Sequence, residues 1–241
     1  MSGISLQQMI DESSRIVFFG GAGVSTESGI PDFRSADGLY NQKYRYPPEA
    51  IISHSFYMRD REEFYRFYKE RMIFPEAEPN AAHLKLAELE RAGKLSCVIT
   101  QNIDGLHTSA GSERVVELHG SVHRNFCESC SRAYPLSYIM ESDGVPKCTC
   151  GGYIKPDVVL YEEQLKDEDI TRAVDEISAA DMLIIGGTSL AVYPAAGLIR
   201  YFRGRYLVII NKAPTGADES ADLVIAESIG KVMEAIEVNN G

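Results

Sequence analysis

The sequence predicts an α/β protein: a mostly parallel sheet with helices on both faces, carrying a smaller module made of two excursions from that sheet. Three observations lead there. Short, wholly apolar runs recur through the outer parts of the chain, helical patterns separate them, and two stretches break the alternation. A strand covered on both faces has no polar side to show, so it reads as a continuous apolar run.

Arg15–Phe19 (RIVFF) is the first such run and ends at Gly20-Gly21, a strand feeding a turn. Pro79–Ala92 reads as a helix opened by proline, with Leu86 and Leu89 on its apolar side and Gly93 as its stop. Leu95–Thr100 (LSCVIT) is the next strand, followed by Val115–Leu118, Met182–Ile185, Tyr206–Ile210 and Asp222–Ala226. Helical patterns fill intervals at Asp167–Ala180 and Pro194–Phe202, and Ser228–Glu237 closes the chain. Gly29 to Phe74 is rich in Tyr, Pro and charge, and Val122 to Pro156 holds a cysteine cluster; neither fits the alternation. They are expected to meet as a small domain (29–74 and 122–156), leaving 1–28, 75–121 and 157–241 for the large one.

At 241 residues the chain can bury a full core, and 44% apolar with 24% charged residues is a globular balance. A net charge of −11 sets the surface against phosphate backbones, which argues against nucleic acid as a direct partner. Met1 to Phe19 lacks the basic, apolar and small-residue succession of a secretory leader. No stretch approaches the roughly 20 apolar residues that span a bilayer, so no membrane partner is expected. Four of the five cysteines cluster while Cys97 sits in a strand, a pattern of metal binding in a reducing compartment. The expected location is the cytoplasm.

Polar residues gather where the apolar strands end, the edge at which open α/β sheets bind ligands. Gly20-Gly21-Ala22-Gly23-Val24-Ser25-Thr26 follows the first strand and is either a plain tight turn or a backbone cradle for a diphosphate. It is not a hydride-transfer fingerprint: Thr26 stands at the third glycine, and Gly29-Ile30-Pro31 follows too soon for a long helix. Gly29-Ile30-Pro31-Asp32-Phe33-Arg34 reads on its own as a proline-initiated loop. Thr100-Gln101-Asn102-Ile103-Asp104 leaves the second strand; Asp104 can cap a helix, which leaves Gln101 and Asn102 to a polar pocket.

Leu118-His119-Gly120 ends another strand with a histidine placed as a general base, whereas His54, His83, His107 and His123 are expected in structural or surface roles. Gly186-Gly187-Thr188-Ser189-Leu190 and Asn211 complete the edge, suited to ribose or phosphate or simply to turning. Finally, Cys127-Glu128-Ser129-Cys130 and Cys148-Thr149-Cys150, with 17 residues between the pairs, can supply four thiolates to a tetrahedral zinc. With all four positions filled by protein, such a site is closed and therefore structural.

In this order and over nearly the whole chain from Arg15, these motifs resemble the sirtuin family of NAD-dependent protein deacylases. The resemblance implies a Rossmann-like large domain and a zinc-binding small domain, with NAD as co-substrate and an acyl-lysine peptide in the cleft between them. It implies that Ala22, Thr26 and Arg34 hold the diphosphate side of NAD and that Phe33 shields the sugar. Gln101 would contact the ribose, and Asn102, Ile103 and Asp104 would line the nicotinamide pocket. His119 would be the base on a ribose hydroxyl, with Asn102 counted beside it as catalytic. Thr188, Ser189, Asn211 and Ile229 would surround the adenosine. Pro156–Tyr161 resembles the family's peptide-pairing segment, placing Val158, Val159 and Leu160 against substrate by strand addition.

The implied reaction frees acetylated lysines of proteins and yields nicotinamide, O-acetyl-ADP-ribose and lysine, with one zinc per chain on Cys127, Cys130, Cys148 and Cys150. Protein ADP-ribosylation on the same scaffold is the alternative. Acid-selective members carry a Tyr-x-x-Arg pair in the first excursion. Here Tyr65 and Tyr68 take those places, with Arg71 one turn later, so acetyl is expected to be preferred to acyl groups ending in a carboxylate.

Overall fold

The computed structural model describes residues 4–33, 38–39 and 44–238. In chain order its main elements are α1 (Leu6–Glu12), β1 (Ile16–Gly20), α2 (Pro48–Ile51), α3 (His54–Arg59), α4 (Arg61–Arg71) and α5 (Ala81–Arg91). Then come β2 (Leu95–Thr100), α6 (Leu106–Ser109), β3 (Val115–Glu117), β4 (Gly120–Cys127), β5 (Ala133–Tyr134) and α7 (Leu136–Glu141). The chain ends through β6 (Ile154–Val158), α8 (Asp167–Ala179), β7 (Met182–Gly186), β8 (Tyr206–Ile210), β9 (Leu223–Ile225) and α9 (Ile229–Glu234).

Six strands form one parallel sheet in the order β3-β2-β1-β7-β8-β9. The chain winds outward from β1 through β2 to β3, then returns to the other side of β1 with β7. That reversal is a topological switch point, where loops from adjacent strands diverge and open a crevice. Register makes the crevice level: Gly20 stands opposite both Thr100 and Gly186. Side chains alternate across the sheet. Phe18, Val98, Ile184 and Val208 face a core shared with Met9, Leu86 and Met233 from α1, α5 and α9. Val17, Phe19, Ile99 and Leu183 face the opposite core, with Ala173 and Ile177 of α8.

The two excursions share a third core. Tyr57, Phe64, Tyr65, Phe67 and Tyr68 of α3 and α4 pack with Val122, Cys127, Ile139, Cys148 and Ile154. A three-stranded antiparallel sheet, β5-β4-β6, lies in the second excursion. The aromatic residues of α4 recur at helical spacing, and burying them is what holds that helix.

Several elements differ from the sequence expectation. The helix expected from Pro79 starts at Ala81, because Asn80 is its cap: the Asn80 side chain accepts from Ala82 N–H at 3.0 Å, and Asn80 N–H donates to His83 Nδ1 at 3.2 Å. The pattern at Pro194–Phe202 forms a 3₁₀ helix, Ala195–Tyr201, instead of an α-helix. Helix α1, closed at its start by a Ser5–Gln8 capping box, and strands β4 to β6 were not expected. Among the described residues no helix is long and apolar enough to cross a membrane.

Candidate functional site

A cleft of about 820 Å³ opens where β1, β2 and β7 end, facing the second module. Its floor is two glycine turns leaning on each other. Gly21 N–H donates to Gly186 O at 3.2 Å and Gly23 N–H to Gly187 O at 2.8 Å. A Cβ on Gly23 would stand 2.8 Å from Gly187 Cα, so this approach is open only to glycine. The turn continues as two short 3₁₀ segments, Ala22–Val24 and Thr26–Ser28, and Thr26 Oγ1 locks it by donating to Gly23 O at 3.0 Å. Asn80 Nδ2 pins it from α5, donating to Val24 O and Ser28 Oγ. A backbone cradle at a switch point fits a diphosphate-containing ligand.

The exit of β2 is tied to that turn by side chains. Asn102 Nδ2 donates to Ser25 Oγ at 3.0 Å, and Ser25 Oγ donates to Asp104 Oδ2 at 2.7 Å. Asp104 Oδ1 accepts from Leu106 N–H at 2.9 Å, a local turn bond to the first residue of α6; the cap position itself is Gly105, so Asp104 is not the helix cap. Gln101 Nε2 donates to Thr188 Oγ1 at 3.1 Å, joining β2's exit to β7's. Beyond Thr188 the wall continues through Ser189, Asn211 and the buried Ile229 at the start of α9.

His119 enters from the end of β3. Its Nδ1 lies 2.8 Å from Gln101 O, and a carbonyl only accepts, so Nδ1 carries the hydrogen and Nε2 keeps its lone pair. Burial pushes its pKa below the ordinary histidine value, an effect the Gln101 bond opposes only in part. The imidazole is therefore neutral near pH 7 and able to take a proton. Val159 N–H donates to the His119 carbonyl at 3.0 Å, which aligns the segment after β6 with the histidine. That segment also ties to the second module: Tyr161 N–H donates to Ile52 O, and His54 N–H donates to Tyr161 O.

Ala22, Thr26, Phe33, Gln101, Asn102, Ile103, Asp104, His119, Val158, Val159, Leu160, Thr188, Ser189, Asn211 and Ile229 all line this one cleft. Arg34 lies outside the described residues. His83 and His107 take the structural role, buried with ring centroids 4.6 Å apart, and His123 is exposed and lines the cleft. One placement differs from expectation. Tyr65 points away from it and donates to Ile154 O, leaving Tyr68 and Arg71 on the wall.

The four clustered cysteines come together between β4 and β6, and their sulfurs all lie within 4.8 Å of one another. Cys127 and Cys150 are 3.5 Å apart, Cys130 and Cys148 3.6 Å. Zinc bound by four thiolates at 2.3 Å sets neighbouring sulfurs about 3.8 Å apart, so the set fits that ion. Cys150 N–H and the Tyr134 hydroxyl donate to Cys148 Sγ and push its pKa down to about 5, toward the thiolate a metal needs. Cys97 lies apart, buried in the sheet.

Residues 21–194 match the Sir2 family. The chain belongs to it. This sirtuin is 59% identical over 235 residues to an NAD-dependent protein deacetylase of Clostridium acetobutylicum, covering 96% of each chain. It is 62% identical over 232 residues to the NAD-dependent protein deacetylase of Clostridium perfringens, covering 95% of each. Among solved structures it is similar to a Sir2 homolog–NAD complex, with a TM-score of 0.86, 39% identity and coverage of 97% of this chain and 93% of that one. It is also similar to a Sir2 complex with a p53 peptide and NAD+, with a TM-score of 0.82, 40% identity and coverage of 93% and 92%.

Sequence reasoning gave no role to several residues of the sirtuin cleft. Ser25, which joins Asn102 to Asp104, sits inside a named motif, and its hydroxyl two residues past Gly23 was the available signal. Glu163 had none: it lies 109 residues from His54, yet the two side chains meet at 2.9 Å.

Proposed function

We propose that this sirtuin is an NAD-dependent deacetylase of protein lysines, releasing nicotinamide, O-acetyl-ADP-ribose and the free lysine. The observation that carries the reading is His119, a neutral imidazole held by Gln101 O at the mouth of a backbone cradle. NAD, when bound, supplies a ribose whose bond to nicotinamide can be exchanged for one to the acyl oxygen. The residues of the chain bind, orient and move a proton. Ala22, Thr26 and Arg34 hold the diphosphate side, Phe33 covers the sugar and Gln101 meets the ribose. Asn102, Ile103 and Asp104 wall the nicotinamide end, while Thr188, Ser189, Asn211 and Ile229 enclose the adenosine.

Val158, Val159 and Leu160 pair with the acetyl-lysine peptide as an added strand, which places its side chain beside His119. His119 Nε2 then accepts a ribose hydroxyl proton, and the Gln101 carbonyl, bonded to Nδ1–H, steadies the cation that forms. Cys127, Cys130, Cys148 and Cys150 hold a structural zinc in a small domain of 29–74 and 122–156. Five unpaired cysteines support a reducing, cytoplasmic setting. ADP-ribosylation of proteins is not favoured, since the relatives share the deacetylase name over nearly the whole chain.

The test is an acetyl-lysine peptide incubated with the protein, with and without NAD, and its products weighed. One nicotinamide per lysine freed is expected. Deacetylation that persists without NAD overturns the reading.

A further inference from the structure

Strand β4 pairs with β6 at Gly120 and Ser121 and again at Asn125, Phe126 and Cys127, but the ladder breaks between Ser121 and Asn125. Such a break bends a strand and re-aims the residues inside it. Here the residues turn toward the exit of β2. Val122 N–H donates to Ile103 O at 3.0 Å, and His123 Nε2 lies 3.0 Å from Asp104 O. The carbonyl only accepts, so Nε2 is the donor.

The His123 ring also covers Gly105. A Cβ there would stand 2.7 Å from His123 Cδ2, and Gly105 has a φ of +75°, in the left-handed region. Glycine is required on both counts. The turn from Asn102 to Gly105 is thus gripped on one side by Ser25 and the Leu106 N–H bond to Asp104, and on the other by β4. Among the described residues, the His123 side chain has no other hydrogen-bond partner. Its one polar contact is spent on this turn.

We propose that His123 is a positioning residue for the nicotinamide end of NAD, acting through the backbone of Asp104 and Gly105. The inference rests on the reading of Asn102, Ile103 and Asp104 as the nicotinamide wall. Holding the turn keeps Asn102 and Asp104 aimed into the cleft, while the diphosphate and adenosine contacts lie on other turns, which have backbone bonds of their own. The peptide-pairing segment is anchored separately, through His119 O and Ile52 O.

The full chain is tested as His123→Phe, which keeps a ring and loses the donor, and as His123→Gln, which keeps an N–H at similar reach. Calorimetry measures the Kd of NAD and of ADP-ribose, which lacks nicotinamide; steady-state assays measure the KM of the acetyl peptide and half-inhibition by nicotinamide. Loss of one hydrogen bond should weaken NAD and nicotinamide about threefold to tenfold in His123→Phe, with ADP-ribose and peptide values moving less than about twofold. His123→Gln should recover most of the loss. Unchanged NAD and nicotinamide affinity in His123→Phe, an equal loss for NAD and ADP-ribose, or no recovery in His123→Gln overturns the proposal. A wild-type chain that binds no NAD defeats the functional reading itself, a different failure from variants that bind alike.

Discussion

At the scale of single residues, the bond from His119 Nδ1 to Gln101 O sets the chemistry, because it leaves Nε2 as the basic nitrogen. Replacing His119 with Ala is expected to lower turnover by about two to four orders of magnitude while NAD still binds by calorimetry. Turnover near the wild-type value would place the base elsewhere. The pH profile follows from the sign of the shift. The neutral imidazole is the active form, and burial holds its pKa below 6.5. The rate should therefore stay level down through pH 6.5 and fall only as the pH drops through that lowered value. A fall centred above pH 6.5 would contradict the assignment. The sequence pointed to His119 by its place at a strand's end, but the tautomer needs the Gln101 carbonyl, 18 residues away, and is a tertiary fact.

At the scale of elements, the cysteine pairs and α4 make separate predictions. The pairs sit where β4 and β6 draw together, so a bound ion would clamp both strands. One zinc per chain is expected by metal analysis. Cys148→Ser should lose the zinc and, with it, the order of the small antiparallel sheet and the activity. Full activity in a zinc-free variant would show the ion to be dispensable. On α4 the cleft wall is the buried Tyr68, with the exposed Arg71 one turn on. A buried neutral hydroxyl does not balance a carboxylate, so acetyl peptides should have a higher kcat/KM than matched succinyl peptides. Equal efficiency for the two acyl groups would mean that Arg71 reaches the acyl chain. The Tyr pair was legible as spacing; which tyrosine faces the cleft was not, because that depends on the Tyr65 bond to Ile154 across the module.

Across the whole molecule, two buried imidazoles couple the fold to acid. Burial lowers the pKa of His83 to about 4, with the Asp104 charge partly opposing, and that of His107 well below its usual value. Both are neutral in the fold, and both take up protons when it opens. Their contribution is therefore complete above the unfolded value of 6.5 and is lost as the pH falls below it, for His83 down to about 4. Urea midpoints measured across that range should decline with falling pH, and His107→Phe, with nothing to protonate, should flatten the decline. A midpoint that stays constant from pH 6.5 to 4 in the wild type would refute this. The sequence left these histidines between structural and surface roles because each lies in a polar or helical context, and only the packing of α5 on α6 buries them.

The sequence by itself determined the parallel sheet, since strands such as Ile16–Gly20 and Met182–Gly186 are apolar at nearly every position and have no other stable use than burial on both faces. It also determined the two cysteine pairs and the polar residues at each strand's end, because local spacing carries those signals. It did not reveal the small antiparallel sheet, whose strands mix exposed and buried positions and hold the break that turns Val122 and His123 toward the cleft. Tertiary structure alone decided which polar groups meet. Ser25 reaches Asp104 across 79 residues of chain, and His54 reaches Glu163 across 109. No local pattern encodes such pairs; the first exists because β1 and β2 are neighbours whose ends stand level at one edge of the sheet, the second because the start of α3 is bonded to the segment after β6.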